Sequence, residues 1–220
     1  MGKRSGPSLE FELPLLERGE RVVGIDEVGR GALAGPLVVG AVMLVAANPI
    51  PDGLTDSKLL SAIRRSALEE PIKEWSHSWG IGWASAREID AWGMRTALAV
   101  ASTRALNELS ERPTVALIDG NLNLLISPIQ RESELVIPEL PYGSMPVSTL
   151  IKGDRTSAAI AGASVLAKVA RDRFMRELSN EHPNYGWERN VGYGTESHMR
   201  AIREYGPCAQ HRQSWKLPTP

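Results

Sequence analysis

Residues 24–36 read GIDEVGRGALAGP. An apolar run, Val22 to Ile25, leads into two adjacent acids, Asp26 and Glu27. A bend follows in which Gly29 and Gly31 flank Arg30, and after Gly35-Pro36 a valine-rich stretch takes over, residues 37–46. The pattern predicts a short buried strand over 21–26, a glycine connection and a neighbouring strand over 37–46. Adjacent carboxylates directly after a buried strand are costly unless something satisfies them. The bend alone reads equally as a strained hairpin. A Gly-x-Gly with no helix behind it is weak evidence for a dinucleotide site. What such a bend offers is backbone that can approach a sugar or phosphate closely.

Outward from this stretch the chain alternates strands and helices. About a dozen residues from Ala62 read as helix, 76–84 as a third strand, and Arg87 to Arg112 as one long amphipathic helix ending before Pro113. Residues 114–118 and 146–151 read as strands four and five, with 121–145 irregular between them. Ser157 to about Ser179 reads as a long alanine-rich helix, and 196–205 as a short one. Paired strands early, followed by strand–helix alternation, predict an α/β protein with a mixed sheet and helices on its faces. With 220 residues and 42% hydrophobic content, one full-core domain is expected.

Composition excludes several classes. A single cysteine, Cys208, rules out an internal disulfide and a cysteine-based zinc site, and it fits a reducing compartment. The N-terminal residues lack a signal-peptide core, and no apolar run approaches the ~18 residues of a membrane span, so a cytoplasmic protein with no membrane association is expected. A net charge of −1 argues mildly against non-specific nucleic-acid binding. Acids that hold metal ions, however, leave the working surface more positive than the count.

Asp119 and Asp154 share the context of Asp26 and Glu27, each standing at or just past a predicted strand. Taken singly, Asp119-Gly120 reads best as a turn and Asp154 as a helix N-cap. Taken together, four carboxylates at neighbouring strand ends repel one another, and hard divalent cations relieve that conflict. Two such ions roughly 3.5–4 Å apart are a known device for phosphodiester hydrolysis.

The motifs closely resemble those of type 2 ribonucleases H, the ribonuclease HII family. The GIDEVGRGALAGP stretch is similar to its signature, and five further blocks follow in order: Asp56-Ser57-Lys58, Asp119-Gly120, Lys152-Gly153-Asp154 with Ser157 and 161–173, Gly192-Tyr193-Gly194-Thr195 with His198, and His211-Arg212-Gln213-Ser214-Trp215. The matches span about residues 22–215, and the GPCAQHR segment looks most like actinobacterial members. Departures touch no acid: Leu33, Leu59 and Trp215 replace commoner residues, and Gly162 inside a helix costs ~1 kcal/mol of helix preference. About twenty residues precede the first strand, which fits type 2 better than type 3.

The resemblance implies a ribonuclease H-like fold, a five-stranded mixed sheet flanked by helices with a small helical C-terminal extension. It implies an N-terminal arm over 1–20, a catalytic domain over 21–180 and an extension over 181–220 that helps recognise substrate. Asp26, Glu27, Asp119 and Asp154 would be the catalytic residues and would hold two divalent ions, Mg²⁺ or Mn²⁺. The substrates would be RNA–DNA hybrids and duplex DNA containing single ribonucleotides, cut to 5′-phosphate and 3′-hydroxyl ends by a monomer. Gly29, Arg30, Gly31 and Tyr193 would read the sugar, and Ser57, Lys58, Ser157 and Lys168 would contact phosphates. Arg171, Asp172 and Arg173 are expected on a solvated or ion-paired helix face, His198 and His211 in structural roles, and the tryptophans in packing. The rival readings are another nuclease or transferase on this fold, a non-catalytic hybrid-binding module, and a nucleotide-binding protein, which would need a Gly-Lys-[Ser/Thr] helix start.

Overall fold

The computed structural model describes residues 6–126 and 134–218. Its centre is a five-stranded sheet in the order β3-β2-β1-β4-β5. The strands are β1 Val22–Val28, β2 Leu37–Leu44, β3 Ser78–Ala84, β4 Val115–Asp119 and β5 Val147–Leu150. β1–β2 and β2–β3 are antiparallel, whereas β1–β4 and β4–β5 are parallel, so the sheet is mixed as expected. The helices are α1 Leu13–Leu16, α2 Ala62–Trp75, α3 Ala86–Trp92, α4 Met94–Asn107, α5 Ala158–Glu181, α6 Trp187–Asn190 and α7 Glu196–Tyr205.

The strand period sorts β1 between two cores. Val23 and Ile25 pack with Val39, Ala41 and Met43 against Ala97, Leu98, Ala101 and Ala105 of α4. On the opposite face α5 lies on the sheet through small residues. A Cβ on Gly24 would stand 2.3 Å from the Ala159 carbonyl carbon, and one on Gly40 would stand 2.2 Å from the Ala163 oxygen. Only glycine permits that approach, which sets α5 directly behind β1 and fixes where the polar residues of α5 emerge. Gly24 and Asp26 are two apart on one strand, so Asp26 faces α5 as well.

Two expectations on secondary structure need correction. Asp26 and Glu27 do not follow the first strand; they lie inside it, paired with Gly40 and Val39 of β2. The expected single helix over 87–112 is two helices. Gly93, at φ +77°, ends α3 and starts α4, a backbone turn that the apolar period does not register. The region expected to be irregular holds no helix or strand among its described residues, 121–126 and 134–145; residues 127–133 lie outside the described set. Trp75, Trp92 and Trp187 are core residues, while Trp79 is partly exposed with the Lys73 ammonium 4.8 Å above its ring. Among the described residues no helix is long and apolar enough to cross a membrane.

Before β1 the chain docks on the start of α5. Ser8 bridges to Ser157, and the buried Glu12 accepts hydrogen bonds on Oε1 from the Ser157 hydroxyl (2.6 Å) and the Ala159 N–H (2.9 Å). A carboxylate at a helix N-terminus satisfies unpaired donors and complements the helix dipole.

Candidate active site

β1 and β4 are parallel neighbours with Ile25 opposite Ile118, so Asp26 within β1 comes beside Asp119 at the end of β4, near the strand ends where open α/β sheets bind ligands. Asp119 is the last residue of β4. Asp154 sits on a helical turn, Gly153–Arg155, just past β5. One carboxylate oxygen from each of Asp26, Asp119 and Asp154 lies within 4.8 Å of the others. Neither simple turn nor cap describes these acids. Asp119 Oδ1 accepts the Gly153 N–H at 2.7 Å, tying the two acidic turns together. The cap of α5 is Ser157, which leaves the Asp154 carboxylate free of that duty.

The electrostatics are those of a site built for cations. Asp26 is 3% exposed, and burial, reinforced by the charge of Glu27, pushes its carboxyl up to about 8. Burial also raises Glu27, against the opposing charge of Arg30, whose Nη1 is 3.4 Å from Glu27 Oε1. Asp154 is raised by burial and held back by Lys58, whose Nζ donates to Asp154 Oδ2 at 3.1 Å. The donors are all oxygens with no imidazole or thiol among them, which suits a hard divalent ion. Buried acids crowded to this extent fit such an ion: Lys58 is the cation that now neutralises one of them.

A cavity of about 240 Å³ opens over the cluster. Asp26, Glu27, Asp119, Lys58, Lys168 and Tyr193 line it with the backbone of Gly29–Gly31. Of the residues expected to contact substrate, Gly29, Arg30, Gly31, Ser57, Lys58, Lys168 and Tyr193 therefore share one cavity with Asp26, Glu27 and Asp119, while Asp154 is not among its lining residues. Ser157 does not. It is fully buried at the α5 N-terminus, donating to Glu12 and accepting from Ile160, so phosphate cannot reach it. Glu27 lines the cavity but stands outside the close trio of aspartates. A larger, apolar cavity of about 430 Å³ between residues 51–53 and α2 brings no cluster of acids together.

Three residues of this site were not expected in it. Ser164 lines the cavity and its Oγ is 2.9 Å from Ser57 Oγ. Arg171, expected on a solvated face, is fully buried. It donates to the carbonyls of Pro36 (2.8 Å), Ala34 (3.2 Å) and Val191 (2.8 Å), with its guanidinium 5.4 Å from the Tyr193 ring centroid. Arg212, equally buried, donates to Gly29 (2.6 Å), Arg30 (2.8 Å) and Gly35 (3.3 Å) carbonyls. Gly29 is at φ +89°, and a Cβ there would meet Arg171 Nε at 2.2 Å. The two guanidiniums thus shape the glycine loop from behind. The signal for Ser164 and Arg171 was helical spacing: with Lys168 they fall at i, i+4 and i+7 on one face of α5. Asp172 is also buried, paired to Lys168 (2.6 Å) and Arg65 (3.6 Å), while Arg173 pairs at the surface with Glu69 as expected.

A mixed five-stranded sheet with flanking helices and a buried acidic cluster at its strand ends defines a metal-dependent nuclease of the ribonuclease H type. The family model described as Ribonuclease HII matches residues 23–218. A ribonuclease HII of Synechococcus sp. (strain CC9902) is 48% identical over 200 residues, covering 90% of this chain and 92% of that protein. One from Streptomyces avermitilis is 44% identical over 194 residues, covering 88% and 76%. The fold matches the crystal structure of ribonuclease H2 from Pyrococcus horikoshii OT3 with a TM-score of 0.68 at 24% identity, over 89% of this chain and 94% of that one. The chain belongs to the ribonuclease HII family, and it is a metal-dependent endoribonuclease.

Proposed function

We propose that this protein hydrolyses the RNA strand of RNA–DNA hybrids and nicks duplex DNA on the 5′ side of an embedded ribonucleotide, leaving 5′-phosphate and 3′-hydroxyl ends. Asp26, Glu27, Asp119 and Asp154 hold two divalent ions, Mg²⁺ or Mn²⁺. When bound, such ions supply an activated water for in-line attack and stabilise the leaving 3′-oxygen. The observation that carries the reading is the sharing of one cavity by Asp26, Glu27, Asp119, the Gly29–Gly31 stretch and Tyr193, with Asp154 close behind the other two aspartates.

The chain's own residues do the rest. The Gly29–Gly31 backbone reads the 2′-hydroxyl, the group that distinguishes RNA from DNA at one nucleotide. Tyr193 packs on the sugar at the junction. Lys58, Ser57 and Lys168 hold phosphates, contacts that position without reading sequence. Lys58 moves between two anions, from Asp154 at rest to phosphate when substrate enters. Residues 181–218 act as an extension of the catalytic domain, since they carry Tyr193 and the Arg212 that shapes the glycine loop.

The test uses a labelled DNA duplex with one embedded ribonucleotide beside an all-DNA control, with Mg²⁺, Mn²⁺ or chelator. A metal-dependent nick 5′ of the ribonucleotide, with the control intact, is the expected result. Cleavage of both duplexes would remove the sugar reading, and no cleavage despite tight binding would favour a non-catalytic module.

A further inference from the structure

Two histidines lie buried behind the cavity, outside the acidic cluster. His198 on α7 and His211 in the closing segment are both fully buried, with Nε2 atoms 3.1 Å apart. Their partners assign every ring nitrogen. The Trp187 indole can only donate, and its Nε1–H points at His198 Nε2 at 3.0 Å, so that nitrogen carries a lone pair. The proton of His198 is then on Nδ1, 2.9 Å from the Tyr193 carbonyl, which can only accept. The Cys208 N–H points at His211 Nδ1 at 3.0 Å, so the proton of His211 is on Nε2 and shares the single lone pair of His198 Nε2 with the Trp187 N–H. These tautomers follow from the donors and acceptors around the rings.

We propose that His198 and His211 form a positioning couple for Tyr193, in which the Nδ1–H of His198 anchors the Tyr193 carbonyl while the N–H groups of His211 and Trp187, both aimed at His198 Nε2, keep that proton on Nδ1. The inference rests on the reading of Tyr193 as the residue that packs on the junction sugar. Tyr193 is otherwise held by its N–H to Asn190 O (2.9 Å), by Thr195 N–H to its carbonyl (2.8 Å) and by the Arg171 guanidinium under its ring. His198 joins this loop to the closing segment, through His211. The next residue, Arg212, holds the carbonyls of Gly29 and Arg30. The closing segment therefore grips both sugar-reading elements, one directly and one through the histidines. Facing the couple are the Tyr185 ring (4.7 Å from His211, 6.2 Å from His198), the Trp187 ring, the Cys208 thiol 3.3 Å from His211 Nδ1 and, further out, His182. No carboxylate is among them, so among the described residues these neighbours give an imidazolium no counter-charge.

Two measurements on the full chain test this. Long-range ¹H–¹⁵N spectra at neutral pH are expected to find the proton on Nδ1 of His198 and on Nε2 of His211; an Nε2–H tautomer for His198 overturns the proposal without any substitution. Second, kcat/KM is compared on a duplex with one ribonucleotide and on a continuous hybrid, for the parent, His198→Leu, His198→Asn, Tyr193→Ala and the Tyr193→Ala/His198→Leu double variant. His198→Leu is expected to lower the junction-to-hybrid ratio about tenfold, the size of one lost hydrogen bond. His198→Asn, whose amide can donate from the same position, restores most of it. In the Tyr193→Ala background His198→Leu should add nothing, because the effect runs through Tyr193. If Tyr193→Ala leaves the ratio unchanged, the sugar-reading role of Tyr193 is wrong. If Tyr193→Ala lowers it and His198→Leu either leaves it alone or adds in full, the couple is wrong and the Tyr193 reading stands.

Discussion

Replacing the buried acid at the centre of the cluster should make the metal-free protein more stable while removing its response to metal. Asp26 has its carboxyl pushed up to about 8 from an ordinary value of 3.8, first by burial and then by Glu27. Between those values the folded chain holds a proton that the unfolded chain releases, so stability falls as pH rises through that window. At pH 7 the gap above 3.8 is 3.2 units, which at about 1.4 kcal/mol per unit sets a ceiling of about 4 kcal/mol. Asp26→Asn lifts that penalty and keeps the main local contact, because an amide oxygen can still accept the Glu27 N–H now bound at 2.8 Å. The metal-free variant should therefore melt above the metal-free parent by roughly 5–15 °C at pH 7, for a gain of about 2–4 kcal/mol. Manganese should raise the parent's melting temperature and leave the variant nearly unmoved, and cleavage should be lost. Calorimetry with and without Mn²⁺ decides it. A variant that melts at or below the parent in chelator, with an unchanged Mn²⁺ increment, would refute both the desolvated acid and its metal role.

Other perturbations follow from the same geometry. Lys58→Met removes the cation now on Asp154; Mn²⁺ affinity by titration calorimetry should rise while kcat/KM falls about tenfold, the loss expected from one charge-assisted contact. Gly24→Ala forces a methyl group to within 2.3 Å of the Ala159 backbone, and urea melts should report about 1–3 kcal/mol lost; an unchanged midpoint would mean that α5 does not lie on β1 as described. His211 is drawn down to about 4 by burial and then by His198. The unfolded chain therefore takes up a proton first on acidification, and the contribution of His211 to stability should drop as pH falls from about 6.5 toward 4, opposing the gain from Asp26 over the same window. His211→Gln should flatten that part of the pH–stability curve.

Much of the site is legible in the sequence because its chemistry is written in short motifs. Asp26-Glu27, Asp119 and Asp154 each stand out as acids in an apolar strand context, and strand–helix alternation implies the mixed sheet. The glycine loop is legible for the same local reason, since Gly29 stands at φ +89°, a conformation that favours glycine. Expectations that assign a residue type its average environment fail. Arg171 has the spacing of a solvated helix cation, yet its guanidinium is buried under three carbonyls. Ser157 belongs to a block whose resemblance implied a phosphate ligand, yet its hydroxyl faces Glu12. The break at Gly93 rests on a backbone turn at φ +77°, which an apolar pattern does not register.

Sequence alone determined the acidic candidates, the order of the five strands and the family resemblance, because these depend on residue type and spacing within a few positions. Tertiary structure decided which groups meet. It joined Asp119 to the Asp154 turn through Gly153, seated Lys58 on Asp154, drew Glu12 from the arm to the head of α5, and set the His198–His211 couple behind Tyr193. Most of these pairings span tens of residues or more. Their partners become neighbours only once the sheet has closed β1 against β4 and α5 has settled on the glycines of β1 and β2, so no local pattern can encode them.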